Sequence, residues 1–248
     1  MSNYNPFNLK DKTVLITGAS SGLGVSIAVE SSKMGSNTII IGRNKTRLND
    51  TFSKLTGEHN QQFIIDLLKE EDINRLIDSL PVLDGIIFNA GIAKVVPVKF
   101  ISNKDIQSTF QTNIISSIKI VQKLIKKKKI AKGGSIVFIS SISSTRASLG
   151  NSLYAATKGG LNSFAKVLAL ELVSKQITVN CIEPGFIKTG LIDDGIMTKE
   201  LLEEHYKLFP LRKGLPTDIS HACVYLLSDA SSWITGSTFV VDGGFCLK

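Results

Sequence analysis

Apolar residues gather in short runs at residues 13–17, 38–41, 63–65, 85–88, 135–139 and 177–181, each rich in Ile, Val, Phe and Thr. Runs this short and this continuously apolar predict strands covered on both faces, as in a parallel sheet. Longer stretches between them predict helices at about 22–34, 69–79, 103–129 and 152–175, and a further helix near 216–228 precedes a last strand near 237–241. Strand alternating with helix predicts an α/β protein, a doubly wound parallel sheet with helices on both faces. No Ser/Pro-rich linker, composition break or internal repeat divides the chain, so residues 1–248 are expected to form one domain. Residues 186–213 break the rhythm: they follow Pro184-Gly185, hold Gly190 and Gly195, and mix acids with Leu, Ile, Met, Tyr and Phe. Ligands in open α/β sheets bind beyond the carboxyl ends of strands, which makes this excursion a candidate substrate lid; the plainer reading is a surface insertion.

Composition narrows the class. Gly and Pro together make about a tenth of the chain, too little for a collagenous or low-complexity protein. A chain of this length buries roughly 70% of its unfolded surface and needs no disulfide or metal staple. The longest apolar run, 222–227, is far short of the roughly 18 residues of a membrane span, and residues 1–12 are polar with no secretory apolar core, so no membrane segment is expected. The net charge of +8 raises nucleic-acid binding, but the basic residues are spread along the chain. The one dense cluster, Lys123 with residues 126–129, falls where a helix would end and cations complement its dipole. No nucleic-acid partner is expected, although the cluster also suits docking of an anionic partner. Cys181, Cys223 and Cys246 form no Cys-x-x-Cys and read as reduced thiols, which places the protein in the cytoplasm. His59, His205 and His221 fit no ligand spacing, so no metal is expected.

Candidate chemistry begins where the first strand runs into Thr17-Gly18-Ala19-Ser20-Ser21-Gly22-Leu23-Gly24 and a helix. Gly18 permits a tight turn, Gly22 close approach of a pyrophosphate, and Gly24 close packing of helix on strand, with phosphates over the helix N-terminus. The spacing departs from G-x-G-x-x-G. Residues 18–22 also satisfy the G-x-S-x-G of hydrolase nucleophile elbows, but that elbow follows several strands rather than the first, and neither His205 nor His221 stands in a distinctive context. At the end of the second strand no acid occurs between Glu30 and Asp50, and Arg43 stands there with Lys45 and Arg47 close by. An acid at that place would bind ribose hydroxyls, whereas an Arg accommodates a 2′-phosphate, which favours NADP(H) over NAD(H).

Tyr154 and Lys158 stand at i and i+4, on one helix face. A phenol exchanges protons poorly near neutrality, and an ammonium some 4 Å away at effective ε ≈ 20 lowers its pKa by up to roughly three units, less what desolvation takes back. Ser141, after the fifth strand, faces the same cleft and suits a carbonyl oxygen. Asn113, mid-helix among apolar residues, is a buried amide in need of partners and suits a solvent link to Lys158.

Together these motifs resemble the short-chain dehydrogenases/reductases, in the branch of about 250 residues, along nearly the whole chain. The match runs through Thr17-Gly-x3-Gly22-x-Gly24, Asp66, Asn89-Ala90-Gly91, Asn113, Ser141, Tyr154-x3-Lys158, Pro184-Gly185 with Thr189, Ile234-Thr235-Gly236, and Val241-Asp242-Gly243-Gly244. The resemblance implies a Rossmann-fold NAD(P)-binding domain in which Tyr154 is the general acid/base, Ser141 orients the carbonyl, Lys158 lowers the tyrosine pKa and binds the nicotinamide ribose, and Asn113 completes a proton relay. It further implies that Gly18, Ser20, Ser21, Gly22, Leu23 and Gly24 hold the pyrophosphate turn. Asp66 and Leu67 would contact adenine, Asn89, Ala90 and Gly91 border its ribose, and Pro184, Gly185, Ile187 and Thr189 hold the carboxamide. Phe88 stands where the family usually has Asn. Ser21 stands where NADP-preferring relatives often carry a base, so the NADP reading rests on Arg43.

The implied activity is interconversion of a carbonyl and a secondary alcohol, in a homotetramer. Within the family the chain is most similar to 3-oxoacyl-(acyl carrier protein) reductases, whose basic residues beside the cleft dock the carrier; Lys132 and Lys175 fall at the corresponding places. The alternatives are a reductase or dehydrogenase of a free sugar, polyol, steroid or other small alcohol, and a non-catalytic NADP sensor.

Overall fold

The computed structural model describes residues 4–187 and 199–248. Its seven strands are β1 (Thr13–Thr17), β2 (Asn37–Gly42), β3 (Gln61–Ile64), β4 (Leu83–Phe88), β5 (Ile130–Ile139), β6 (Thr178–Pro184) and β7 (Thr238–Val241). They form one parallel sheet in the order β3-β2-β1-β4-β5-β6-β7. The central strands are largely apolar because both sides of the sheet are covered there, whereas the edge strand β3 begins with two glutamines and is partly exposed. Leu15, Ile39, Ile41, Ile86, Ile136 and Phe138 point to one core. Their neighbours Val14, Ile16, Ile40, Ile87, Val137 and Ile139 point to the other, as the two-residue pleat requires.

The first core is closed by α3 (Glu70–Ser79), α5 (Ser116–Lys126) and α6 (Ser152–Leu172), through Leu76, Ile120, Leu161 and others, while α4 (Asn103–Phe110) packs against α6. The second is closed by α1 (Gly22–Lys33), α2 (Lys45–Phe52) and α8 (Pro216–Leu227), through Ile27, Leu48 and Ile219. A last helix, α7 (Lys199–Tyr206), lies within the 186–213 excursion. At the centre Phe138, fully buried, stacks on Phe88 at 4.9 Å and meets Phe164 edge-on at 5.9 Å. Burial of one such ring stabilises the fold by about 1.5–3 kcal/mol, and the pair accounts for an apolar residue at Phe88, where the resemblance implied an amide.

The chain departs from the expected elements in particular places. The helix expected over 103–129 is two helices joined by a π-helical turn, Gln111–Ile115. The helix α2 was not expected at all, and residues 188–198, with Thr189, lie outside the described residues. Among the described residues no helix is long and apolar enough to cross a membrane.

The lysine cluster ends α5 as its spacing implied. Lys119 and Lys123 grip Glu70 at 2.8 and 2.6 Å, holding that carboxyl at about 2, and Lys127 pairs with Asp78. One expectation is overturned here. Lys132 sits at the amino end of β5 and Lys175 just before β6, whereas Ser141 follows the carboxyl end of β5. In a parallel sheet these are opposite ends, so neither these lysines nor the 126–129 run flank the cleft of their own chain.

Candidate active site

The chain winds away from β1 in two directions, β2 on one side and β4 on the other, which opens a crevice at the carboxyl ends of these strands. The crevice is a cleft of about 770 Å³. At its floor Gly18 and Gly22 adopt left-handed backbone, φ +67° and +57°. A Cβ on Gly18 would stand 2.7 Å from Ala90 Cα, and one on Gly24 only 2.2 Å from the Gly18 carbonyl oxygen. Asn89 Nδ2 donates to the carbonyls of Thr17 and Gly18 at 3.2 Å, while Thr17 Oγ1 accepts the N–H groups of Asn89 and Ala90 at 3.0 Å. Thr17, in the motif but not among the expected site residues, thus staples the β1 turn to the β4 turn; the signal was its place directly before the glycine turn. The first turn of α1 carries no acid, and Ser21 caps none of its N–H groups by side chain. Free N–H groups and the positive end of the dipole therefore face the cleft, a fit for a pyrophosphate. Gly24→Ala is expected to force the helix off the strand, lowering stability by about 1–3 kcal/mol. It should also abolish the thermal stabilisation given by a dinucleotide, as a melting curve with and without ligand would read.

At one end the cleft is lined by Arg43 and Arg47, neither of which has an acidic partner among the described residues, and by Asp66 and Leu67. Asp66 is the one acid lining the cleft among the described residues. Its Oδ1 accepts the Leu68 N–H at 3.1 Å and its own N–H donates to Asp72 at 2.9 Å, which fixes the loop. Two unpaired guanidinium groups beside a strand end fit a phosphate on the adenosine ribose.

At the other end Ser141, Tyr154 and Lys158 converge. Ser141 accepts the Ser143 N–H at 3.1 Å and shares a hydrogen bond with the Tyr154 hydroxyl. Lys158 is buried, with Nζ donating to the Ile139 carbonyl at 2.6 Å and lying 5.4 Å from the Tyr154 ring centre. Desolvation lowers the Lys158 pKa to about 8. The same effect raises the Tyr154 pKa, and the Ser141 hydrogen bond only partly opposes it. The expected depression of the phenol by the ammonium is therefore corrected: Lys158 is turned onto a backbone carbonyl, and burial governs both groups.

Asn113 lies in the π-helical turn, fully buried, and does not line the cleft. Its Oδ1 accepts the Ile92 N–H at 2.8 Å; its Nδ2 donates to the Ile92 carbonyl at 2.9 Å and to Thr157 Oγ1 at 3.1 Å. A π turn adds a residue to the helix and here aims a polar side chain inward, a frequent device at functional sites. A Cβ on Gly91 would lie 3.4 Å from Asn113 Oδ1 and 3.6 Å from Lys158 Nζ, so the two groups flank Gly91.

All other described candidates except Gly24, which packs beneath the turn, line the cleft: Ser20, Ser21 and Leu23 with the turn, Asn89 to Gly91, and Pro184, Gly185 and Ile187. The wall beyond Tyr154 is made by Phe186 and His205, which lie within the segment expected as a lid, and by Arg146 and Phe245, which the sequence reading missed. These residues come from four separate segments, and no local pattern joins them. Burial holds the His205 pKa below its usual value, which keeps the ring neutral.

A family model described as enoyl-(acyl carrier protein) reductase matches residues 18–246. The 3-oxoacyl-(acyl carrier protein) reductase of Chlamydia trachomatis is 36% identical over 244 residues, spanning 95% of this chain and 98% of that one. The protein of that name from Mus musculus is 35% identical over 243 residues, 96% of this chain and 99% of its own. Among solved structures, a protein from Agrobacterium tumefaciens described as a 2-deoxy-D-gluconate 3-dehydrogenase, with bound NADP, superposes with TM-score 0.87 at 28% identity, covering 99% of this chain and all of that one. A short-chain type dehydrogenase/reductase from Mycobacterium ulcerans gives 0.86 at 27% identity, covering 97% and 92%.

Proposed function

The chain belongs to the short-chain dehydrogenase/reductase family, and from that membership we infer that it is an NADP(H)-dependent oxidoreductase that interconverts a carbonyl and a secondary alcohol, with a 3-oxoacyl thioester as the carbonyl substrate. The observation that carries the reading is the convergence of Ser141, Tyr154 and Lys158 at the carboxyl ends of the central strands, beside a glycine turn shaped for a pyrophosphate. When bound, NADPH supplies the hydride to the carbonyl carbon.

The protein's own residues do the rest. Ser141 orients the carbonyl oxygen by hydrogen bond, and Tyr154 protonates that oxygen. A phenol whose pKa is raised stays protonated at neutral pH, which suits a proton donor to the carbonyl oxygen. Lys158, charged below about 8, would hold the nicotinamide ribose hydroxyls. Asn113 fixes the Ile92 backbone, and with Lys158 it flanks Gly91, an arrangement suited to passing a proton outward. Arg43 and Arg47 would take the 2′-phosphate, Asp66 and Leu67 the adenine, and Pro184, Gly185, Ile187 and Thr189 the carboxamide. The apolar wall of Phe186 and Phe245 suits an acyl chain better than a sugar.

The chain would act as one domain over residues 1–248, with 186–213 as its substrate lid, in the cytoplasm and as a homotetramer. Val167, Leu170, Trp233 and Val240 are all more than half exposed, and burial of such apolar side chains suits assembly.

The test compares melting curves with NADPH and NADH, then follows NADPH consumption on 3-oxoacyl thioesters. NADPH at 100 times its Kd should stabilise the protein by about 2.7 kcal/mol, and NADH by much less. Arg43→Ala should lose that preference while keeping turnover at saturating NADPH. Equal stabilisation by the two cofactors would refute the phosphate assignment, and inertness toward every thioester would refute the substrate.

A further inference from the structure

The wall beyond Tyr154 is built by the far end of the chain. After β7, Gly243 and Gly244 both adopt left-handed backbone, φ +64° and +85°, and turn the chain back over the cleft. Asp242 fixes the turn by accepting the N–H groups of Gly244 and Cys246 at 2.9 and 2.8 Å. This turn delivers Phe245 to the cleft lining. The ring stacks on Phe209 at 4.8 Å and lies 6.0 Å from His205, which in turn meets Phe186 edge-on at 4.5 Å. Arg146, five residues beyond Ser141, latches it: the guanidinium lies 4.2 Å over the Phe245 ring, and its Nη1 donates to the main-chain oxygens of Phe245 at 2.7 Å and Lys248 at 3.3 Å. The segment that carries the carbonyl-orienting serine and the segment that carries the ring are thus tied directly.

We propose that Phe245 is a specificity-determining residue, its ring being the surface against which the substrate's alkyl chain packs, and that Arg146 is a positioning residue acting through Phe245. This rests on reading the cleft as a carbonyl-reducing site, and it names the substrate class as a carbonyl compound with an apolar alkyl tail. His205 is neutral among these rings, and the carboxylate of Asp242 is taken by the turn, so the wall presents no charge to the tail except the latched guanidinium.

Two homologous series separate this proposal from the thioester reading: 3-oxoacyl thioesters of N-acetylcysteamine and methyl ketones, each with tails of increasing length. For the wild type, kcat/KM should rise about threefold to fourfold per added methylene until the wall is covered. Phe245→Ala should flatten that rise, chiefly through KM, and Phe245→Leu should restore most of it. Arg146→Ala should flatten it in part and add nothing in the Phe245→Ala background, and NADPH should still stabilise every variant. An unchanged slope in Phe245→Ala overturns the proposal, as does a loss equal at all lengths and confined to kcat. A wild type that reduces the ketones but no thioester overturns the thioester reading alone, since the ketone slope still tests Phe245. Reduction of neither series overturns both.

Discussion

Replacing Tyr154 by phenylalanine is expected to cut turnover by about 10²–10⁴-fold, the range that a positioned acid contributes, while NADPH still stabilises the protein. The hydroxyl is the only group removed. The ring keeps its place on α6, and the neighbours that set the backbone, Thr157 bonded to the Tyr154 carbonyl at 2.8 Å and Asn113 bonded to Thr157, are untouched. Ser141 loses one partner but retains the Ser143 N–H. Its hydroxyl can still hold the carbonyl oxygen, so KM should move far less than kcat. The raised pKa of the phenol adds a second signature: no loss of the acid form is expected in the wild type up to and somewhat beyond pH 10, the ordinary tyrosine value. Stopped-flow measurement of NADPH oxidation alongside NADPH melting shifts would decide the matter. Turnover within tenfold of the wild type would remove Tyr154 from the chemistry.

How much of this was legible before any coordinates depends on the physics of each part. The central strands were, because a parallel sheet buried on both faces is largely apolar, as at Ile39, Ile40 and Ile41, although β6 also buries Asn180 and Glu183. The helix α2 was not, since only Leu48 and Thr51 of its eight residues are buried, too few to print a helical period. Its one signal was Asn44, whose side chain caps the Arg47 N–H. The break at Gln111–Ile115 was hidden for the opposite reason, because the apolar period runs on through both flanking helices. The candidacy of Ser141, Tyr154 and Lys158 followed from motifs at the ends of elements, and that of Asn113 from an amide in an otherwise apolar stretch. Their electrostatics did not, since desolvation depends on what distant segments cover. Phe186 and His205 fall in the segment expected as a lid, but their meeting with Phe245 is a tertiary product.

Lys158→Met is expected to abolish turnover and at the same time to stabilise the protein. Burial lowers the Lys158 pKa from 10.5 to about 8, so the folded state gives up this proton more readily than the unfolded chain. Below about pH 8 the native state carries a desolvated ammonium at a cost that approaches about 3 kcal/mol, since each pKa unit is about 1.36 kcal/mol. Between pH 8 and 10.5 the native lysine is neutral while the unfolded one is still charged, and this cost fades; above 10.5 it is gone. Methionine matches the length of the side chain without the charge, but it leaves the Ile139 carbonyl without its donor, which costs back about 1–3 kcal/mol. The net gain at pH 7 is therefore about 0–2 kcal/mol. It should shrink and turn negative as pH rises through 10, where the lost hydrogen bond is all that remains of the difference. Paired urea denaturation curves of wild type and variant at pH 7 and 10 would measure it, and a variant whose deficit is the same at both values would show that Lys158 is not held against desolvation. Turnover that falls in the wild type as pH rises through about 8 would be the kinetic face of the same ionisation.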